Sequence, residues 1–189
     1  MRKAVLISIQ PKWCELIASG RKTIEVRKTK PKIPTPFKCY IYCTRVSHQG
    51  KYLHTSNKHG QLLFWDNPKD TSITVQPENY DYMAYTCRGK VIGEFVCSEI
   101  HSILQIGNMN SSKCDYRAVT GDSILLNDDI FDFACLSKKD VNTYLKGQKG
   151  YGWHISDLKI YDKPKELSEF GLTRPPQSWC YVEKLEGEQ

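Results

Sequence analysis

The sequence predicts a single α+β domain that is mainly β. Five to seven segments have the alternation or the apolar runs of strands, and about three short stretches have helical spacing. No long Pro/Gly/Ser linker and no internal repeat divides the 189 residues, of which 40% are hydrophobic, enough to fill one core with insertions. A small barrel is one way to close the sheet edges of such a chain, although periodicity alone does not select it.

The N-terminal segment predicts a strand, a short helix, a tight turn and a second strand. Residues 4–8 are an apolar run typical of a strand. Pro11 suits the first turn of a helix, which we expect over roughly 11–19, and Gly20 is a typical helix stop. The second strand is expected at 22–28, where apolar and polar residues alternate.

The strand at 22–28 carries the most informative chemistry of the chain. Ile24 and Val26 point to one face, and the opposite face presents a hydroxyl, an acid and a guanidinium at steps of about 7 Å: Thr23, Glu25 and Arg27. Lys22, at the turn into the strand, can reach the same space. This face is predicted either to line a site for an anionic ligand or to be the solvated side of an edge strand.

The rest of the chain predicts further strands separated by irregular stretches. Four strands are expected, at 37–44, 91–97, 153–160 and 178–183. Two polar, irregular stretches lie between them, at 45–86 and 105–135. Ser137 and Asp140 resemble a capping box, so a short helix is expected to follow and to reach about Lys146. One more helical turn, over 164–170, is closed by Gly171.

Positive charge is concentrated at the N-terminus. The chain has 27 Lys and Arg against 21 Asp and Glu, a net charge of +6, yet residues 1–38 alone carry ten basic and two acidic side chains. The remaining residues hold 17 basic and 19 acidic side chains. A basic lobe on a near-neutral body is typical of a protein that binds a polyanion, and the alternative is a solubilising surface.

The eight cysteines predict neither a disulfide scaffold nor a metal site. The sequence has no Cys-x-x-Cys pair and no histidine spaced to complete a zinc knuckle. His154 is a candidate proton carrier or, as a lone histidine, a structural residue. The N-terminus lacks a secretory signal, and no apolar run approaches the ~20 residues that span a bilayer. We therefore expect a cytoplasmic protein with reduced thiols, no metal, no cofactor and no membrane association.

Two N-terminal stretches together resemble the start of an ASCH domain, a family similar to the PUA-like β-barrels. The family signature is Gly-x-Lys-x-x-Glu-x-Arg in a strand after the first helix, and it is matched in order by Gly20, Lys22, Glu25 and Arg27. Trp13 stands in the helix before this strand, and residues 89–97 and 152–164 also resemble the family. The resemblance covers roughly 110 residues and is similar to the long bacterial or mobile-element forms.

The resemblance implies a PUA-like small β-barrel with short flanking helices, spanning 1–189 as one domain with insertions at 45–86 and 105–150. It also implies an RNA-related function, and some branches of the family are enzymes. One branch deacetylates acetylated cytidine with a lysine, a threonine and a distant glutamate. Lys22 matches the lysine, but Glu25 occupies the position of the threonine, so that activity is not expected here. A second branch is associated with ribonuclease action, and nothing in the sequence argues against it.

The leading prediction is a domain that binds RNA or a nucleotide in a cleft lined by Lys22, Glu25 and Arg27. Thr23 belongs to the same site, and three tryptophans are candidates to stack on bases: Trp13, Trp153 and Trp179. The alternative is a hydrolase of RNA or of a modified nucleoside, with Lys22 and Glu25 as its catalytic residues. The sequence does not decide whether the protein is an enzyme. A second alternative is a protein-interaction module that uses residues 62–85.

Overall fold

The computed structural model contains the six strands that the sequence predicted and five more in the stretches predicted as irregular. The structure describes residues 3–45, 52–56, 62–65, 82–86, 89–106, 115–120, 123–124 and 129–185. Within these ranges lie eleven strands: β1 Lys3–Ile9, β2 Ile24–Arg27, β3 Phe37–Cys43, β4 Tyr52–Ser56, β5 Leu62–Trp65, β6 Tyr82–Thr86, β7 Lys90–Ile106, β8 Asp115–Thr120, β9 Ser123–Ile124, β10 Gly150–Lys165 and β11 Trp179–Glu183. The same ranges contain the helices α1 Pro11–Ala18, α2 Asp129–Phe133 and α3 Lys138–Leu145, and a 3₁₀ helix, Leu167–Phe170.

Most of the strands join one mixed sheet. Its hydrogen-bonded order is β11-β1-β3-β7-β10-β2, with β8 paired to β7 and β9 paired to β8. β1 runs antiparallel to β11 and parallel to β3. A mainly β domain with short helices was predicted, and this prediction is confirmed.

The sheet differs from the predicted small barrel because it is not closed. Among the described strands, β11 and β2 are the two ends of the path and do not pair with each other. β2 has only four residues, and the segment after it contains Pro31, Pro34 and Pro36. Proline has no amide hydrogen to donate to a neighbouring strand, so this segment cannot continue the ladder that closure would need.

The chain divides into two compact units. Unit 1 comprises residues 1–19, 38–95 and 158–189, and unit 2 comprises residues 20–37 and 96–157. β7 and β10 each contribute one part to unit 1 and one part to unit 2. The predicted single domain stays a prediction.

The two predicted insertions contain regular structure in their described parts. In the first, at 45–86, the backbone forms a separate three-stranded sheet of order β5-β4-β6. The side chains of the predicted interaction segment, 62–85, lie outside the described residues. In the second, at 105–150, the stretch predicted as irregular contributes β8, β9 and α2, and α3 follows it.

Unit 1 is organised around β1, whose residues after Lys3 are all buried. Side chains from several of its strands pack into one core cluster: Ala4, Leu6, Tyr40, Tyr42, Val91, Tyr161, Phe170 and Val182. The amide of Ser8 donates to the carbonyl of Ser178 at 2.8 Å, and its hydroxyl donates to the carbonyl of Pro176 at 2.6 Å. These bonds fix the segment that leads into β11.

Unit 2 has a core of its own, into which β2 sends both of its apolar side chains. The cluster contains Ile24, Val26, Ile103, Tyr116, Ala118, Ile130, Phe131, Ala134, Val141 and Leu145. The predicted capping box before α3 is confirmed. The Ser137 hydroxyl accepts from the Asp140 amide at 3.1 Å, and the Asp140 carboxylate accepts from the Ser137 amide at 3.0 Å. Two backbone groups at this helix end are thereby satisfied.

Two further expectations concern the membrane and the thiols. No helix in the described part of the chain is both long enough and apolar enough to cross a membrane. Six cysteines lie within the described residues and none of these six forms a disulfide: Cys14, Cys39, Cys43, Cys97, Cys135 and Cys180. The compartment stays a prediction.

The close approach of β7 to β10 can be tested by a substitution at Gly93 in β7. A Cβ atom at Gly93 would lie 2.5 Å from the carbonyl oxygen of Lys159, which is backbone and cannot rotate aside. We expect Gly93→Ala to lower the free energy of unfolding by about 1–3 kcal/mol in urea denaturation. In the control Gly152→Ala, the new Cβ would meet only side-chain ends, at 3.2 Å from Ile130 and Ile24, and the loss should be smaller. Equal losses in the two variants would contradict this account.

Candidate functional site

The strand β2 is held by its pairing with β10 and by backbone hydrogen bonds of the residue that precedes it. It pairs antiparallel with β10, and the register places Trp153 opposite Glu25 and Tyr151 opposite Arg27. Just before β2, the amide of Thr23 donates to the carbonyl of Phe133 at 2.9 Å, and the carbonyl of Thr23 accepts from the amide of Ile155 at 2.9 Å. Thr23, predicted as a binding residue, therefore positions the strand through its backbone.

The three charged residues of the sequence motif lie together in a buried cluster that we call the ion cluster: Lys22, Glu25 and Arg27. One carboxylate oxygen of Glu25 lies 3.0 Å from Arg27 Nε, and the other lies 3.3 Å from Lys22 Nζ. The side chains of all three residues are at most one-tenth exposed. The charged face of β2 is thus neither solvated nor open along a cleft, because both faces of this strand are covered.

Lys22 also completes the end of a helix. Its Nζ donates to the carbonyl oxygen of Ala134 at 2.6 Å, directly after α2. The last carbonyl groups of a helix have no partner within the helix and carry partial negative charge, so an ammonium group is favourable there. With the Thr23 amide on Phe133, the β2 segment satisfies two carbonyl groups at the end of α2.

Two tyrosines with lysines over their rings lie next to the ion cluster, in unit 2. Directly opposite residues of an antiparallel pair share a face, so Tyr151 lies on the face of Arg27. The ammonium groups of Lys30 and Lys149 lie 5.5 and 5.3 Å from the centre of the Tyr151 ring. The second tyrosine, Tyr144, lies on α3, and Lys28 Nζ is 5.4 Å from the centre of its ring. We call these five residues the tyrosine–lysine surface.

Tyr144 lies within electrostatic reach of the ion cluster. Burial raises the pKa of its hydroxyl, the Arg27 charge lowers it, the Glu25 charge raises it, and a hydrogen bond with the Lys28 backbone lowers it. Its side chain is nevertheless 40% exposed. Neither Tyr144 nor Tyr151 was identified from the sequence, because only strand register and helix packing bring them beside Arg27. The sequence offered only one weak local signal, the position of Lys149 two residues before Tyr151.

The three predicted tryptophans are divided between the two units. Trp153 is fully buried and packs edge-on against Phe37, with ring centres 5.9 Å apart. It is therefore an interior residue here and not a surface on which a base can stack. Trp13 and Trp179 belong to unit 1, while the ion cluster belongs to unit 2. The Trp13 ring has Lys12 Nζ 4.3 Å from its centre, and Trp179 packs edge-on against Tyr181.

A second buried charged group, in unit 1, was not selected from the sequence. One oxygen of Glu94 accepts from Lys38 Nζ at 2.8 Å, and the other accepts from the Tyr161 hydroxyl at 2.7 Å. Its sequence signal was an acid inside the apolar run of β7, between Gly93 and Phe95. Both carboxylate oxygens are satisfied by these two partners, so the group is well suited to a structural role.

Three side chains of unit 2 could hold a metal ion within the described part of the chain: Glu99, His101 and His154. Burial lowers the pKa of His154, and the neighbouring His101 lowers it further, whereas Glu99 raises it. His154 and Trp153 are consecutive in β10 and so point to opposite faces. The histidine is thus not part of the ion cluster, in agreement with the sequence, which gave no reason to place it near Glu25.

Comparison with known proteins identifies the fold. Neither a protein-family model nor a curated protein sequence matches the chain significantly. A crystal structure of ASCH from Zymomonas mobilis matches with a TM-score of 0.55 and 19% identity, covering 96% of this chain and 88% of that one. Two single-residue variants of the same protein match with TM-scores of 0.54, also at 19% identity, covering 97% of this chain and 92% or 90% of theirs.

The chain has an ASCH fold. The resemblance that the Gly20–Arg27 segment carried is therefore confirmed at the level of fold, over nearly the whole chain. At 19% identity the likeness shows the fold alone, so no activity or binding residue is transferred from the Zymomonas protein.

The ion cluster makes a direct prediction about stability. Glu25→Gln keeps the size of the side chain but removes the negative charge that pairs with the buried Lys22 and Arg27. Breaking a buried ion group in this way costs about 3–5 kcal/mol, so we expect the free energy of unfolding in urea to fall by that amount. The matched control is Glu183→Gln at the exposed end of β11, for which we expect a change within about 0.5 kcal/mol. Similar values for both variants would show that the cluster does not stabilise unit 2.

Proposed function

We propose that the protein binds single-stranded RNA or a nucleotide on the tyrosine–lysine surface of unit 2. The observation that carries the proposal is Tyr151, whose ring has an ammonium group from Lys30 and one from Lys149 within 5.5 Å of its centre. An aromatic ring flanked by cations matches the two parts of a nucleotide, a flat base and a charged phosphate.

The exposures of these residues support the proposal. Lys28, Lys30 and Lys149 are exposed, and Tyr144 is 40% exposed. Bases are free to stack on protein aromatic rings only where the nucleic acid is single-stranded, since a duplex keeps them paired and stacked on each other. The arrangement therefore favours a single strand over a duplex.

In this proposal the buried ion cluster contributes positive charge beside the tyrosine–lysine surface. Lys22 and Arg27 together carry two positive charges against the one negative charge of Glu25, so the cluster has a net charge of +1. Arg27 lies on the same face as Tyr151, and its charge adds to the attraction for phosphate. Glu25 orients both cations, whose side chains are at most one-tenth exposed.

The hydrolytic alternative receives less support from the geometry. A general base must present a free carboxylate oxygen to the proton that it accepts. Both oxygens of Glu25 are occupied, one by Arg27 and the other by Lys22. Catalysis by Glu25 would require one of these contacts to be exchanged for water or substrate, so the assignment of Lys22 and Glu25 as catalytic residues remains a prediction, as does the interaction role of 62–85.

Binding should be measured by fluorescence anisotropy with a labelled single-stranded RNA of about ten nucleotides, from low to moderate salt. If three or four phosphates are contacted, log K should fall against log salt with a slope of about −2 to −3. Lys30→Ala and Lys149→Ala should each weaken binding and reduce the slope by about 0.7. Tyr151→Ala should weaken binding about fivefold to a hundredfold at every salt concentration, because it removes a stacking surface and no charge.

The matched control is a similar pair in unit 1, where Lys3 Nζ lies 5.6 Å from the centre of the Tyr181 ring. Lys3→Ala and Tyr181→Ala should leave affinity and slope unchanged. If they weaken binding and the Tyr151 variant does not, the binding surface is the one around Trp179 and the proposal is wrong. RNA that is shortened during the measurement would instead favour the hydrolytic alternative, and affinity independent of salt would exclude phosphate binding by these lysines.

A further inference from the structure

Three residues with metal-binding side chains converge in unit 2, outside the surface proposed for RNA. Each of Glu99, His101 and His154 offers one ligand atom, and these atoms all lie within 4.8 Å of one another. The Glu99 carboxylate is 3.5 Å from His101 Nδ1. The two imidazole rings have their centres 4.5 Å apart and are nearly perpendicular, at 83°.

Strand geometry brings the three residues together. Glu99 and His101 are two apart in β7 and so point to the same face. The next residue on that face, Ile103, is fully buried in the core of unit 2, while the Glu99 side chain is 51% exposed. His154 comes from β10, the neighbour of β7 in the sheet. The group therefore lies where the core of unit 2 meets solvent, with His101 only 9% exposed.

We propose that Glu99, His101 and His154 bind one divalent transition-metal ion of the Zn²⁺ class, with at least one coordination position left for water. Two imidazoles and one carboxylate are a donor set that Zn²⁺ accepts, and three protein ligands leave a tetrahedral ion one open position. Imidazole also suits Fe²⁺, Ni²⁺ and Cu²⁺, whereas Ca²⁺ and Mg²⁺ prefer oxygen ligands only.

The distances are compatible with a metal after a small adjustment. Metal–ligand bonds of about 2.0–2.2 Å place neighbouring ligand atoms about 3.3 Å apart. The Glu99–His101 distance of 3.5 Å already meets this requirement. The longest separation, at most 4.8 Å, must shorten by about 1.5 Å, which rotation of the half-exposed Glu99 side chain and of the imidazole rings can supply.

A second observation also points to a ligand here. Nε2 of His154 is shielded from solvent and has no hydrogen-bond partner among the described residues. Buried polar atoms of side chains are normally paired, so an unpaired ring nitrogen beside another histidine and a carboxylate requires an explanation. Cys97 is close by, but its thiol is directed at the backbone carbonyl of Glu99 at 3.5 Å, so it is not counted as a fourth ligand.

The test is Zn²⁺ binding to the full-length, chelator-treated chain, measured by isothermal titration calorimetry. We expect one Zn²⁺ per chain at low-micromolar affinity or tighter, and a higher Tm in the presence of Zn²⁺. His101→Gln and His154→Gln should each weaken binding at least about a hundredfold, and Glu99→Gln about tenfold or more. Because the Glu99 side chain is half exposed, its variant should fold even if a histidine variant does not.

The chain contains three other histidines, which provide a matched control: His48, His54 and His59. The triple variant in which all three become Ala should bind Zn²⁺ like the wild type. Loss of binding in the triple variant, with retention in the Glu99 and His154 variants, would place the metal elsewhere and overturn the proposal. No binding by the wild type would mean that Glu99, His101 and His154 form a local polar contact only.

The absorption spectrum of bound Co²⁺ distinguishes coordination by the two imidazoles and the carboxylate from coordination by cysteine thiolates. Co²⁺ held by two imidazoles and a carboxylate should give visible d–d bands without the near-ultraviolet charge-transfer band of a thiolate ligand. A strong thiolate band would show that cysteines hold the ion, which also contradicts the proposal. RNA binding is measured separately, and the metal group lies on the opposite face of β10 from Trp153, so each proposal can fail while the other stands.

Discussion

The placement of β2 depends on the burial of three charges. Moving an isolated carboxylate, ammonium or guanidinium out of water is costly, and the cost is recovered only if each charge has partners in good geometry. Glu25 finds its partners in Lys22 and Arg27, and Lys22 needs the Ala134 carbonyl in addition. Lys22 therefore links the end of α2 to the charges of β2, because it contacts both.

The burial of these three charges also explains why the neighbouring tyrosine–lysine surface is positively charged. Because the ion cluster satisfies Glu25 internally, no acidic side chain of β2 is left to neutralise the lysines of the tyrosine–lysine surface. Lys28 and Lys30 come directly after β2. The segment that follows contains three prolines, which cannot continue the strand pairing. The lysines thus remain beside Tyr144 and Tyr151, available to an anionic ligand, while the charges beneath them are fixed.

Local signals in the sequence predicted local structure, and pairing across the sheet could not be predicted from them. Pro11, the Ser137–Asp140 capping box and Gly171 each act within a few residues, and the structure has the corresponding helix ends. Alternation in 22–28 gave the two faces of β2 correctly, but it could not show that both are covered. The 17-residue β7 and the group of Glu99, His101 and His154 depend on strand pairing over more than fifty residues, and cysteine spacing carried no information about them.

The two proposed sites share the strand β10, which pairs with β2 on one side and with β7 on the other. Consecutive residues of a strand point to opposite faces, so Tyr151 and Trp153 join the face of the ion cluster while His154 turns toward His101. A slip of β2 by one residue would turn Glu25 and Arg27 to the other face and take Arg27 away from Tyr151. The backbone bonds of Thr23 on both sides and the buried charges of β2 oppose such a slip. The pairing of β10 with β2 therefore places Tyr151 beside Arg27, and its pairing with β7 places His154 beside His101.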